Sequence, residues 1–154
     1  MEAVAIADTK VTAKVIDALY VEAMVLADDA RAYFDTFSRE ERDRLGPVLR
    51  VAFSCESLKV TTRLMHVIAW LLAHRSQRPT GAGEVIDMRG PFRLGGPTET
   101  DPEAVAALPE GARTRIAASL DLYARVARLE AEMTRVETPT SPARELLDRL
   151  SRSL

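Results

Sequence analysis

The stretch VLRVAFSCESLKVTTRLMHVIAWLLAHR (residues 48–75) decides the fold of this chain. It contains neither Gly nor Pro, and its apolar positions recur with the three-to-four-residue period of an α-helix. Two apolar rows lie on neighbouring faces: Val51, Cys55, Leu58, Thr62, Met65, Ala69 and Leu72 form the first, and Phe53, Val60, Leu64, Val67 and Leu71 form the second. One row suits a helix with one neighbour. Two rows predict a central helix, about 40 Å long, packed against two neighbours.

A helical pattern precedes this central helix. From about residue 10 to residue 36 apolar residues fall on one face and most charged residues on the other, after a frayed lead-in. Ser38 and Glu41 have the spacing of a capping box, so the link to the second helix is only a few residues long. Such a short link makes the two helices antiparallel neighbours. Gly46 and Pro47 predict a break, after which the central helix restarts.

A third helix is predicted at about residues 109–136. It follows a start signal, Asp101 and then Pro102, and its apolar row comprises Leu122, Val126, Leu129, Met133 and Val136, preceded by Ile116 and Leu120. The sequence contains no strand pattern. It therefore predicts an all-α fold: an antiparallel three-helix bundle over residues 1–137, with helices at about 10–36, 39–77 and 109–136.

Two segments outside the helices are candidates for protein binding. The loop 77–101 between the second and third helices holds five of the seven glycines and three of the eight prolines, yet it also carries apolar residues such as Phe92 and Leu94. It either folds back onto the bundle or forms a docking segment. The sequence TPTSP then separates a tail, residues 138–154, from the bundle. Four leucines lie on one side of a short amphipathic helix predicted in this tail: Leu146, Leu147, Leu150 and Leu154.

The leucine face of the tail can be interpreted in two ways. It packs back on the bundle, or it lies in a groove of a partner as it folds.

Length and composition bound the class of protein. The 154 residues predict one domain, and 47% hydrophobic with 29% charged residues is an ordinary balance for a globular protein with a core. A net charge of −2 argues against a nucleic-acid partner, because phosphate binding needs a basic face. The arginines of the third helix alternate with acidic residues, which is typical of a solvated face.

The single cysteine, Cys55, excludes an intramolecular disulfide and fits a reducing compartment. The first ten residues do not have the pattern of a signal peptide. The longest apolar run, residues 64–73, is about half the length that spans a bilayer. We therefore expect a cytoplasmic protein without membrane insertion.

The sequence lacks the residue patterns of catalysis or cofactor binding. His66 and His74 have no Cys or carboxylate partners at metal-ligand spacing. Cys55 and His66 are about 16 Å apart along one helix, too far for a nucleophile and its base. Thr61, Thr62 and Arg63 could form a polar seam in the core. We expect neither enzyme activity nor a metal or cofactor.

Two alternative classes of function have specific requirements. A transcription-associated or DNA-binding helical regulator would need a basic recognition helix, which the alternating charges do not offer. A small-molecule sensor or enzyme would need convergent polar groups in the core, and only Cys55, Thr62 and His66 are candidates.

Two segments resemble the RcdA family, the regulators of CtrA degradation of alphaproteobacteria. These segments are LYVEAMVLADDARAYFD (residues 19–35) and ESLKVTTRLMHVIAWLLAHR (residues 56–75). Within these segments, the motifs most specific to the family are ESL, TTRLM and AWLL, in this order. The likeness covers the first two helices well and the third weakly.

The resemblance implies a helical-bundle homodimer that acts as a non-enzymatic adaptor. Such an adaptor helps the ClpXP protease to degrade cell-cycle regulators such as CtrA, together with other proteolysis adaptors and response-regulator proteins, near the cell pole. The matching residues are mostly apolar, so they indicate the fold rather than the binding site.

Overall fold

The computed structural model describes residues 2–75 and 93–137, together with residues 143, 146, 149 and 150. The elements in chain order are α1 (Glu2–Ala32), a π-helical turn (Tyr33–Phe37), α2 (Arg39–Asp43), α3 (Pro47–Arg75), α4 (Pro102–Ala106) and α5 (Glu110–Glu137). No strand occurs in these residues, and the three long helices α1, α3 and α5 pack as a bundle. The predicted all-α fold is confirmed.

Helix α1 runs antiparallel to both other long helices. Asp17, in the first half of α1, pairs with Arg75 at the end of α3, with 3.0 Å between Oδ1 and Nε. Two ion pairs join α1 to α5 in reversed order: Glu22 with Arg125, and Asp29 with Arg115. These arginines thus bind α1 carboxylates instead of forming the purely solvated face expected from their alternation with acidic residues.

Helices α3 and α5, by contrast, run parallel. Arg63 bonds Ser119, and Trp70, seven residues further along α3, bonds Glu130, eleven residues further along α5. Parallel neighbours cannot be joined by a tight turn, so the chain must return along the length of α3 before α5 starts. The predicted long loop between the second and third helices therefore has a topological cause, and the predicted antiparallel packing applies to α1 against its two partners.

The core lies between the three long helices. Tyr33 and Phe34 of the π-helical turn meet Phe53 of α3, with ring centroids of Phe34 and Phe53 5.4 Å apart in an edge-to-face arrangement. Ala23 and Ala112 are fully buried, and such small side chains allow helices to approach closely. The second predicted row of α3 is buried in this core: Phe53, Val60, Leu64, Val67 and Leu71.

The first predicted row of α3 is not in the core, which corrects the expectation that both rows pack inside this chain. Leu58 is 68% exposed and Met65 is 64% exposed. The reason is that α1, α5 and residues 93–101 cover only the sides of α3 that carry Leu64 and Arg63. The expectation that Leu58 is a core residue is therefore wrong for the isolated chain.

The helix boundaries are partly as predicted. The break at Gly46 and Pro47 and the start at Asp101, whose Oδ1 accepts a bond from the Glu103 N–H at 3.0 Å, are confirmed. The first helix begins at Glu2 rather than near residue 10. The capping box is wrong: the hydroxyl of Ser38 donates to the Phe34 carbonyl at 3.0 Å, because Ser38 has helical dihedral angles and bonds back to the preceding turn.

Candidate functional site

The solvent side of α3 carries an apolar row, which we call the outer face of α3. It comprises Val51, Cys55, Leu58, Thr62, Met65, Ala69 and Leu72, all of them exposed. Steps of four and three residues alternate along it, the spacing at which one helix packs lengthwise against another. Because all seven residues are exposed, a surface of helix-packing character faces the solvent in the described structure.

The outer face of α3 is also uncharged. Between Arg50 and Arg75, every exposed residue of α3 is apolar or carries a hydroxyl or thiol group. Lys59, at the margin of the face, is held by Glu56 at 2.9 Å. Charged residues normally populate a solvated helix face. Their absence over most of a helix marks a surface that excludes water when it is covered.

The exposed hydroxyl groups on this side of α3 bond to their own helix. Each donates to the carbonyl oxygen four residues earlier, over 3.1, 3.1 and 3.0 Å: Ser54 to Arg50, Thr61 to Ser57, and Thr62 to Leu58. The hydroxyl donors are therefore satisfied before any partner arrives. Covering the face leaves no unpaired donor here, which removes a main cost of burying polar groups.

A groove of about 420 Å³ continues the outer face of α3 towards α1. Its apolar lining includes Phe34, Leu64, Met65 and Ile68. The wall formed by α1 and the π-helical turn carries three charged side chains, Asp28, Arg31 and Asp35. Arg31 and Asp35 lie 3.9 Å apart and are both highly exposed. The charges thus stand at the rim of the apolar surface, as in protein interfaces with an apolar centre.

The opposite side of α3 holds buried charge. Arg63 is 1% exposed and Glu56 is 3% exposed, and both lie beneath residues 93–101, which we call the strap. The guanidinium of Arg63 donates to the Thr98 carbonyl from Nε at 3.1 Å and from Nη2 at 2.8 Å, and to Ser119 Oγ at 3.0 Å. It also donates to the Thr100 hydroxyl. A single arginine thus joins α3, α5 and the strap.

Glu56 completes this polar cluster. Its Oε2 accepts a bond from the Thr100 hydroxyl at 2.9 Å, and its Oε1 accepts one from Lys59 at 2.9 Å. Burial lowers the pKa of Arg63 from its usual value, and the nearby Glu56 carboxylate opposes that shift. The charged groups of this cluster all have hydrogen-bond partners, so the cluster stabilises the position of the strap.

The other end of the strap is held by α5 and by a close approach to α3. Glu130 Oε2 accepts bonds from the Leu94 N–H and from Trp70 Nε1, both at 2.7 Å. The Tyr123 hydroxyl donates to the Gly95 carbonyl at 2.6 Å, and burial and then the Glu130 charge raise the pKa of Tyr123. A Cβ on Gly95 would lie 2.6 Å from the His66 ring, so a larger residue there would have to displace the ring or the strap.

Comparison with known proteins identifies the family. The family described as "Protein of unknown function (DUF1465)" matches residues 7–154. The chain belongs to the DUF1465 family. The crystal structure of RcdA from Caulobacter crescentus CB15 is similar, with a TM-score of 0.61 and 28% identity over 82% of this chain and 97% of that one. The resemblance seen in residues 19–35 and 56–75 is thereby confirmed. No curated protein matches the sequence significantly.

The structure places only some of the predicted binding residues of this DUF1465 member. Leu94 is half-buried against the core, in the strap. Leu146 and Leu150 are 60% and 57% exposed, in helical conformation. Three of the predicted residues lie outside the described part of the chain: Phe92, Leu147 and Leu154. In its described part, the loop folds back onto the bundle, which was one of its two predicted readings.

The two surfaces on α3 were missed by sequence reasoning. Glu56 and Arg63 are seven residues apart and lie in one helical row with the buried residues Val60 and Val67. This position in an apolar row could have predicted that both charged side chains are buried. The predicted polar seam is correct for Arg63, whereas Thr61 and Thr62 are exposed. Cys55 is exposed too, so it does not join His66 in a core site.

The described residues contain no group of three His, Cys, Asp or Glu side chains that could bind a metal ion. His74 stacks on Trp70 with ring centroids 3.9 Å apart, and its Nδ1 lies 2.8 Å from the Trp70 carbonyl oxygen. In the same residues, no helix is both long enough and apolar enough to cross a bilayer.

Proposed function

We propose that this DUF1465 member is a non-enzymatic adaptor that helps to deliver cell-cycle regulators such as CtrA to the ClpXP protease. The observation that carries the proposal is the similarity to RcdA, which extends over 82% of this chain and 97% of that one. The adaptor acts with other proteolysis adaptors and response-regulator proteins in the cytoplasm, and is recruited to the cell pole. The buried polar groups under the strap bond to one another and to the strap, which supports a non-enzymatic role for them.

A reconstituted degradation assay tests this function. Purified ClpXP, CtrA and the accompanying adaptors are mixed with and without this chain, and the loss of CtrA is followed over time. We expect faster loss when the chain is present. A ClpXP substrate that needs no adaptor serves as the control, and its rate should not change. Equal rates of CtrA loss with and without the chain would overturn the proposal.

We further propose that the adaptor is a homodimer in which the outer faces of α3 from two copies pack together. An isologous interface requires a surface that is complementary to itself. The outer face of α3 supports this requirement because it has no charge to repel its own copy. Its alternating steps of four and three residues also suit helix-to-helix packing.

The register of such a pairing follows from the sequence. Thr62 is the middle one of the seven residues of the outer face of α3. Two antiparallel copies of α3 with the two-fold axis near Thr62 therefore place Leu58 of one copy opposite Met65 of the other. Val51 then faces Leu72, and Cys55 faces Ala69. Large side chains thus alternate with small ones along the seam, as interdigitating packing requires.

A single charge at the centre of the outer face tests the dimer. Leu58→Glu buries two carboxylates without partners in the proposed interface, and such burial opposes association. Light scattering should give twice the chain mass of 17.0 kDa for the wild type and the chain mass for Leu58→Glu. Val25→Glu is the matched control, because Val25 is 63% exposed on α1 and is not part of the outer face of α3. A monomeric wild type at micromolar concentration would refute the homodimer, and a dimeric Leu58→Glu would refute this interface.

A further inference from the structure

The strap lies on α3 and α5 in the way that a bound peptide lies in a groove. Three of its backbone groups are bound by side chains of the helices: the Leu94 N–H by Glu130, the Gly95 carbonyl by Tyr123 and the Thr98 carbonyl by Arg63. Bonds to backbone atoms do not depend on the side chains of the bound segment. The groove therefore offers the same bonds to any segment with the same backbone path.

The strap is close to fully extended. Its contacts pass from His66, beside Gly95, to Glu56, beside Thr100, which is about 15 Å along α3 at the rise of an α-helix. Five residues can span at most about 18 Å. The groove thus recognises an extended chain that runs antiparallel to α3, with no regular secondary structure of its own.

The polar floor of the groove reduces the free-energy cost of releasing the strap. Beneath the strap lie Glu56, Arg63, Ser119 and Glu130, which are polar or charged groups. Buried charges lose hydration, and water can solvate them again when the strap leaves. Rehydration of these groups therefore offsets part of the cost of releasing the strap, a cost that also includes the loss of the Leu94 contacts with the core.

We propose that the groove between α3 and α5 is a binding site for an extended, unstructured segment of a partner protein, and that the strap is its built-in competitor. The segment carries glycine at the position of Gly95, where the His66 ring leaves no room for a Cβ, and Thr or Ser at the position of Thr100. This site is separate from the outer face of α3 and does not depend on the proposed adaptor function.

A labelled peptide that copies the strap, RLGGPTETD, tests the proposal in fluorescence anisotropy. Gly95→Val in the full chain displaces the strap by its clash with His66 and leaves the groove intact. Its matched control is Gly96→Val, because no atom lies within 4 Å of a Cβ at Gly96. The apparent affinity of a site falls with the fraction of it that is free. We expect Gly95→Val to bind the peptide at least about tenfold more tightly than the wild type or Gly96→Val.

Two further measurements keep the test decisive. Thr100→Val removes the hydrogen bonds of the Thr100 hydroxyl with Arg63 and Glu56 and keeps nearly the same side-chain shape. Thr98→Val is the control for this variant, because Thr98 binds Arg63 through its backbone carbonyl oxygen, which the substitution leaves in place. Thr100→Val should also bind the peptide more tightly than its control. A peptide with Val in place of its first Gly should not bind. Equal affinity in Gly95→Val, Thr100→Val and their controls, with circular dichroism showing intact helices, would overturn the proposal.

Discussion

The two long sides of α3 reverse the usual distribution of residues, in which charged side chains are exposed and apolar side chains are buried. The side that faces the strap buries Glu56 and Arg63, whereas the outer face exposes Leu58 and Met65. Burial of charge is tolerated on the first side because Arg63 and Glu56 find hydrogen-bond partners in the strap and in α5. The outer face has no such partner within the described chain.

This difference separates two kinds of surface on one helix. On the strap side, the chain's own strap covers the buried charges of α3 and supplies hydrogen-bond partners for them. The outer face is uncharged, and its exposed hydroxyl groups donate back to the helix, so a second protein surface can complete it. Mutations on the first side should therefore lower the stability of the single chain, and mutations on the second should lower association.

The largest loss of stability should come from Arg63. Arg63→Met removes the positive charge that interacts with the buried Glu56 carboxylate, and it leaves the Thr98 carbonyl without its two Arg63 donors. A change of this kind costs about 3–5 kcal/mol of unfolding free energy. Urea denaturation measures the loss. Arg113→Met, at an exposed site on α5, should stay within about 0.5 kcal/mol of the wild type. Similar values for the two variants would mean that Arg63 does not hold the strap.

The next largest effect compares the two apolar rows of α3 directly. Leu64→Ala, at a site that is 3% exposed, should lower the unfolding free energy by about 2–5 kcal/mol. Leu58→Ala should change it by about 0.5 kcal/mol or less in dilute solution, where mass action leaves the chain monomeric. At high concentration Leu58→Ala should weaken the dimer. Equal losses in dilute solution would place Leu58 in the core.

A smaller effect is expected at the bond between Tyr123 and the strap. Tyr123→Phe removes the donor to the Gly95 carbonyl and should cost about 0.5–1.5 kcal/mol, the usual worth of one hydrogen bond. Hydrogen exchange at the Leu94 N–H should become faster, because this end of the strap is held less firmly. Tyr20→Phe is the control, since the Tyr20 ring mainly lies under Arg75, 4.6 Å from its guanidinium carbon. An unchanged exchange rate in Tyr123→Phe would contradict the prediction.

The smallest effect on stability should come from the tail. Removal of residues 138–154 should leave the melting temperature almost unchanged and should reduce cargo degradation, because Leu146 and Leu150 are exposed apolar residues on the side of the tail that we predict to bind a partner. Leu146→Glu with Leu150→Glu, which keeps the chain length, should reduce degradation in the same way. A truncated chain that melts several degrees lower and delivers cargo normally would show that the tail belongs to the core.

Local sequence patterns predicted the helices well because helix formation depends on residues three and four positions apart. Pro47 and Asp101 mark helix starts that the structure contains. The same patterns could not tell Leu58 from Leu64, since both lie in rows of helical period. Which row is inside depends on distant segments: Arg63 is covered by Thr98, which lies 35 residues further along the chain. Pairings at such separation leave no periodic signal.

The parallel course of α3 and α5 has a consequence for the order of folding. Residues 33–46 join α1 to α3 and form a shorter connection than the one between α3 and α5, so we expect the contacts of α1 with α3 to form first. Contacts of α5 with α3 must close a loop that includes all residues between Arg75 and Glu110. An α1–α3 hairpin therefore precedes the docking of α5. Until α5 arrives with the strap, Arg63 and Glu56 remain hydrated, so their desolvation belongs to the last step of folding.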